Sequence, residues 1–82
     1  MAEVVLNREI ARQYTAGEER LQVEGERVRD IIRALDERFP GLGLILRTDM
    51  AVAIDGDIYQ ETDLIEVRPN SEVCFLPAIE GG

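Results

Sequence analysis

Histidine, lysine and tryptophan are absent from these 82 residues, and cysteine occurs once. Without histidine the chain has neither the usual imidazole base nor the commonest metal ligand. A single cysteine makes no internal disulfide and cannot build a zinc site by itself; it fits a reducing compartment. Cys74 alternates with Val73 and Phe75 in a strand-like run, the setting of a packed or half-exposed small side chain rather than of a nucleophile. Without lysine there is no side-chain amine to acylate, because arginine stays protonated. The longest unbroken apolar stretch, Met50 to Ile54, is far too short to cross a bilayer. Met1-Ala2-Glu3-Val4 lacks the basic region and apolar block of a secretory signal, so a cytoplasmic location is the expectation.

What is present suffices for one small domain. Hydrophobic residues make up 45% of the chain, which argues against disorder. A chain of this size buries only about 60% of the surface its unfolded form exposes, leaving little room for an enclosed catalytic cavity. The formal charge is −8, unevenly spread. Residues 1–48 carry nine acids and eight arginines, whereas residues 49–82 carry eight acids against Arg68 alone. Such a field disfavours nucleic acid and anionic membrane, and it can steer the second half toward a basic partner. General solubility is the plainer use of the same charge.

The apolar periodicity changes along the chain. Val4 and Leu6, continuing to Ile10, alternate as in a half-buried strand. Tyr14-Thr15-Ala16-Gly17 reads as a turn, and Leu21 and Val23 as a second strand closing an N-terminal hairpin. Val28, Ile31, Ile32, Leu35 and Phe39 then form one stripe of a helix. Gly25 is its expected N-cap and Pro40-Gly41 its end. Residues Leu42 to Asp49 read as an apolar loop, or a helical turn. Met50 to Ile54 suits an interior strand, Asp55-Gly56 a tight hairpin turn, and Ile58-Tyr59 the start of the return strand. Pro69-Asn70-Ser71 is a further turn before the last strand, Glu72 to Leu76. Strands segregated from one main helix predict an α+β fold.

No enzyme constellation emerges from the side chains. Asp55-Gly56-Asp57 lacks the other ligand positions of a calcium loop. Gly41-Leu42-Gly43 is too short for a phosphate loop without a strand before it and a helix after it. No metal site is expected. The sequence does close on Glu80-Gly81-Gly82. Glycines pack nothing and lose the most conformational freedom on ordering, but they form a thread thin enough for a narrow active site. Alone, a terminal diglycine is equally the mark of a frayed end. Here it follows an apolar strand that the chain leaves at Pro77, which has no amide to donate. The six residues 77–82 can extend by roughly 20 Å, with Leu76 and Ile79 as anchors.

This strand-strand-helix-strand-strand order, the Asp55-Gly56 hairpin, the Asn70-Ser71-Glu72-Val73 approach and the ending Phe75-Leu76-Pro77-Ala78-Ile79-Glu80-Gly81-Gly82 together resemble the ubiquitin-like sulfur-carrier family. That family includes the small subunit of molybdopterin synthase and the thiamine-pathway sulfur carrier. The resemblance implies a β-grasp fold over residues 1–76, a mixed sheet of four to five strands on one main helix, with a flexible tail over 77–82. It implies that the Gly82 carboxylate is adenylated and converted to a thiocarboxylate that donates sulfur, foremost in molybdopterin synthesis. Gly81, Glu80 and Ile79 would thread into the partner, and Leu76, Phe75, Pro77 and Ala78 would dock on it. The chain would be a carrier rather than an enzyme and bind no cofactor itself. ATP and Mg²⁺ would serve an activating partner resembling ubiquitin-activating enzymes. A sulfur donor and an acceptor such as the molybdopterin synthase large subunit complete the expected set. Many molybdopterin subunits carry two consecutive prolines where Pro77-Ala78 has one, and a Leu-Pro-Ala tail is also similar to carriers serving cysteine or other thio-metabolites, thiamine among them. A ubiquitin-like modifier forming isopeptides, and a plain interaction module with an inert tail, are readings of other classes.

Overall fold

The computed structural model describes residues 1–48, 50–59 and 65–77. Among these residues the elements run β1 (Ala2–Val5), α1 (Arg8–Tyr14), β2 (Arg20–Val23), α2 (Val28–Arg38), α3 (Leu42–Thr48), β3 (Met50–Ile54), β4 (Asp57–Tyr59) and β5 (Glu72–Pro77). The strands form a five-stranded mixed sheet in the order β2-β1-β5-β3-β4. β5 is parallel to β1 and antiparallel to β3, while β1–β2 and β3–β4 are antiparallel. This is the expected β-grasp arrangement.

The helix stripe folds as its period predicts. Val28, Ile31, Ile32 and Leu35 of α2 are buried in one cluster with Val4, Leu21, Val23, Val52, Val73 and Phe75 from the sheet. The helix start differs from expectation. Arg27, not Gly25, is the N-cap residue, and it makes no side-chain capping bond. An extended segment holds that end instead: Val28 N–H donates to the Ile65 carbonyl (3.0 Å) and Val67 N–H to the Glu26 carbonyl (2.8 Å). Gly25 is needed for close approach, since a Cβ there would lie 2.9 Å from Ile31 Cδ1 and 3.1 Å from Ile31 N.

The N-terminal hairpin is paired as expected but joined differently. β1 and β2 are antiparallel, with Val4 opposite Leu21, yet a helix rather than a tight turn connects them. Asn7 ends the strand because its Oδ1 accepts the Ile10 N–H (2.8 Å), the bond of a helix N-cap. Ile10, Ala11 and Tyr14 then share the inner face of α1. The helix closes on Thr15, whose hydroxyl reaches the carbonyls of Ala11 and Glu18. The even spacing of Val4, Leu6 and Ile10 fits a strand as well as a strand followed by a helix. Asn7 is the residue that decides between them.

The ambiguous segment 42–48 is α3, and its start is held from α2. Asp36 Oδ1 accepts the N–H groups of Gly41 (3.1 Å) and Gly43 (2.9 Å). Leu42 and Leu46 complete the core, while Leu44 is left 65% exposed. Asp36→Ala should therefore lower stability by about 1 kcal/mol, the usual worth of a lost N-terminal cap. Urea unfolding followed by circular dichroism measures it, and an unchanged midpoint would show that α3 does not rely on Asp36.

The β3–β4 turn has positive φ at both central residues, Asp55 (49°) and Gly56 (93°), as a two-residue hairpin of this hand requires. Asp55 also fastens the turn to the start of β5. Its carboxylate accepts the Glu72 N–H (2.9 Å) and the Ser71 hydroxyl (2.9 Å). The Glu72 amide, then the Ser71 hydroxyl, hold the Asp55 carboxyl below its ordinary value of 3.8. A carboxyl depressed on folding contributes stability that is present above its unfolded value and lost as pH falls through the folded one. Stability should thus drop as pH is lowered through and below the ordinary aspartate range. Asp55→Asn keeps the bond from the Glu72 N–H and the positive φ, its NH2 now donating to the Ser71 hydroxyl, and should flatten that decline in denaturant midpoints taken from about pH 6 to about pH 2. An unaltered slope would assign the acid sensitivity to other carboxylates.

Candidate functional site

β5 lies in the middle of the sheet, paired with β1 over its first half and with β3 to its end. Against β1 the register is Glu3–Glu72, Val4–Val73 and Val5–Cys74. Against β3 it runs from Ile54–Val73 to Met50–Pro77. Pro77 is thus the last residue of the strand, one beyond the expected end at Leu76, a position where a missing amide is tolerated. Whatever follows Pro77 starts from a point fixed by its pairing with Met50 of β3. Ala78, Ile79, Glu80, Gly81 and Gly82, which include the expected site of chemistry, lie outside the described residues.

The strand divides the expected docking set by parity. Phe75 is 2% exposed and belongs to the core, so its ring is not available to a partner; it holds the strand in place. Leu76 is half-buried on the opposite face, and Pro77 is exposed. Phe75→Ala should cost about 3–5 kcal/mol through the cavity it leaves. Leu76→Ala should cost far less. Thermal melts of the two variants test this assignment, and equal losses would contradict it.

The helices cover only the face of the sheet that holds Phe75. On the other face the register aligns Val5, Cys74, Ala53 and Ile58 across four strands. Leu76 lies opposite Ala51 in the neighbouring row, on the side toward Pro77. Ile58 is 63% exposed. Sequence reasoning missed Val5, Ala53 and Ile58 because the row exists only once the strands are paired. The available signal was Ile58 itself, an apolar side chain on a short edge strand whose other residues are exposed.

Beyond Val5 the row ends on Arg20 of β2, and on the side away from Pro77 the same face carries Glu3 and Glu72. Arg20 Nη1 lies 2.9 Å from Glu3 Oε1 and 3.9 Å from Glu72 Oε2. Asp55 and Asp57 stand at that end too, where a cleft of about 250 Å³ is lined by Asp55, Asp57, Glu66, Arg68 and Ser71 among others. The described acids of the second half of the chain thus gather at the start of β5, opposite the end that leads to Gly82. Asp55-Gly56-Asp57 is a hairpin turn with its first carboxylate engaged by β5. Among the described residues no group of three or more acids and cysteine is arranged to hold a metal ion, and no helix is long and apolar enough to cross a membrane.

Cys74 is half-buried in the middle of the apolar row. Burial, then the Glu72 carboxylate, push its thiol above the ordinary value, with Arg20 opposing. A raised thiol is mostly protonated at neutral pH and a weak nucleophile. Whatever sulfur chemistry the chain supports should therefore survive Cys74→Ser. Loss of transfer in that variant, with the fold intact by circular dichroism, would make Cys74 a participant.

The sequence profile described as the ThiS family matches residues 4–82. No curated protein matches the chain significantly. Among solved structures, the fold is similar to that in the Amycolatopsis orientalis BexX/CysO complex (TM-score 0.84, 23% identity, 100% of both chains). It is also similar to Mycobacterium tuberculosis CysO, an antigen (TM-score 0.84, 13% identity, 96% of this chain and 100% of that one). A third likeness is to the small archaeal modifier protein 1 of Methanosarcina acetivorans (TM-score 0.78, 21% identity, 99% of this chain and 95% of that one).

Proposed function

This chain belongs to the ThiS family, as the resemblance to ubiquitin-like sulfur carriers implied, and we propose that it is a sulfur carrier acting through the carboxylate of Gly82. The observation that carries the reading is the family match running to residue 82, over a tail that follows a doubly paired strand. A carboxylate is a poor electrophile. Attack of its oxygen on the α-phosphate of ATP, with pyrophosphate leaving, gives a mixed anhydride. Sulfide (HS⁻) released by a donor then attacks the carbonyl carbon and expels AMP, so that the terminus becomes a thiocarboxylate. ATP and Mg²⁺ belong to the activating partner, and none of these steps needs a histidine or a thiol from this chain. In this reading the protein is a substrate of its partner enzymes, with Gly81, Glu80 and Ile79 threading into them.

Two observations favour cysteine or another thio-metabolite as the destination of the sulfur over the molybdopterin expected from the sequence. Pro77-Ala78 has one proline where many molybdopterin subunits have two, and two of the structures it resembles are CysO proteins. Intact mass spectrometry of the chain incubated with its activating enzyme, ATP and a sulfur donor should show the increment of one oxygen exchanged for sulfur. The increment should vanish when Gly81-Gly82 is deleted. Absence of the increment in the wild type would refute the carrier reading. The likeness to the small archaeal modifier protein 1 supports a second reading, isopeptide formation with target lysines; covalent ladders on denaturing gels would favour it.

A further inference from the structure

The reach of the tail is set by its length. Five residues follow Pro77, and fully extended they span no more than about 18 Å. In the carrier reading this short thread ends in an acyl adenylate, an electrophile that an unprotonated amine or a thiolate can open. The first surface such a group meets is the domain to which it is tethered, at an effective concentration in the millimolar range. What the fold places inside that radius therefore decides whether activated Gly82 lasts until a partner takes it.

Arginines stand there. Arg20 faces Val5, which faces Cys74, three residues before Pro77; Arg20 thus lies about 10 Å back along the sheet and about 10 Å across it. Arg47, in the last turn of α3, is three residues from Met50, and Met50 pairs with Pro77 itself. Arg8 opens α1 just past the end of β1, at the same end of the sheet. All three are exposed, and each carries its charge without an amine that could be acylated. Among the described residues, the other nucleophiles near the exit are withdrawn. Cys74 is half-buried, and the Thr48 hydroxyl donates to the Leu44 carbonyl (2.7 Å). A hydroxyl attacks only with a base beside it, and the usual base, histidine, is absent. Arg27 and Arg68, by contrast, line a cleft with Pro69, ahead of the start of β5. To approach them the tail would have to double back over the whole strand, about 17 Å before any sideways distance.

We propose that the surface within reach of Gly82 is kept clear of acyl acceptors, arginine standing where a lysine would capture the terminus, so that the activated acyl group passes only to another molecule. The inference rests on the reading of Gly82 as the activated terminus. A lysine at position 20 or 47 would divert that group. Its amine attacks the Gly82 carbonyl carbon, the C–N bond forms as the C–O bond to AMP breaks, AMP leaves, and the amine proton passes to solvent. The product is a closed loop through the tail, one water lighter than the chain and unable to carry sulfur. In the isopeptide reading the same clearance limits each target lysine to a single copy, because no copy offers a lysine to the next.

The test incubates the full chain with the adenylating enzyme of the same genome, ATP and Mg²⁺, without a sulfur donor, and reads intact masses. Hydroxylamine added to one portion traps activated Gly82 as its hydroxamate, and a variant that gives it is folded and activated. No hydroxamate from the wild type would overturn the Gly82 reading and this inference with it. Without hydroxylamine the wild type should keep its mass, whereas Arg47→Lys and Arg20→Lys should accumulate the species one water lighter, its new amide located by peptide fragmentation. With the chain at about 10 µM, that closed product should exceed chain-on-chain dimers by about 100-fold, the ratio of a millimolar effective concentration to the free one. Arg27→Lys, beyond reach, should give no closed product above the wild-type background. Hydroxamate from every chain with no closed product from Arg47→Lys or Arg20→Lys would overturn this inference alone, as would equal closure of Arg27→Lys. A closed species in the wild type, removed by Cys74→Ser, would reveal an acceptor inside the radius and overturn it too.

Discussion

The burial of Val73 and Phe75 in the middle of the sheet is the constraint on which the rest of the molecule depends. β5 is the last strand in sequence but central in space, paired in parallel with β1 and antiparallel with β3. A parallel pair cannot be closed by a hairpin; the chain must cross over between its members. The crossover here carries α2 and α3, which lie on the face that holds Phe75. Among the described residues one face is consequently packed by helices and the other is not, and both outcomes follow from where β5 sits. The point at which the chain leaves the fold is fixed by the same pairing.

Local periodicity made part of this legible. The α2 stripe, the interior strand at Met50 to Ile54, the Asp55-Gly56 turn and the final strand each follow from residues close in sequence. The errors arose where a distant or single polar group decided the conformation. Asn7 turns an alternating run into a helix by accepting one amide. Asp36 caps α3 from the preceding helix, which no reading of residues 42–48 alone could supply. Gly25 was read as a cap because glycine tolerates that position, whereas its role is to let Ile31 approach. The candidate site divides the same way. The diglycine is visible in sequence, but the row of Val5, Cys74, Ala53 and Ile58 spans four strands and has no sequence signature. Phe75 and Leu76 look equivalent until strand parity sends one inward and the other outward.

Charge is the clearest case of sequence order misleading about space. The second half of the chain is acidic, and it is natural to picture that acidity around the tail it carries. Among the described residues, β5 runs away from the acids of that half. Asp55 and Glu72 are held together at its start by hydrogen bonds that themselves favour the ionised carboxylate, while its far end is bordered by Leu76, Ala51 and Met50.

That division suits a sulfur carrier, in which the reacting group would be the terminus and not a side chain of the folded part. If chemistry occurs at Gly82, the folded part can raise its rate only by holding the terminus near the partner's reactive centre. A docked body joined to the reacting group by a short segment makes the second encounter intramolecular, with effective concentrations in the millimolar range for short linkers that span the gap. The benefit depends on the segment starting from a fixed point close to the docking face. Pro77 meets that requirement, being tied through Met50 to the strand whose Ala51 and Ala53 line the open face. Held in this way, the exit point is what the folded part would contribute to chemistry at its terminus.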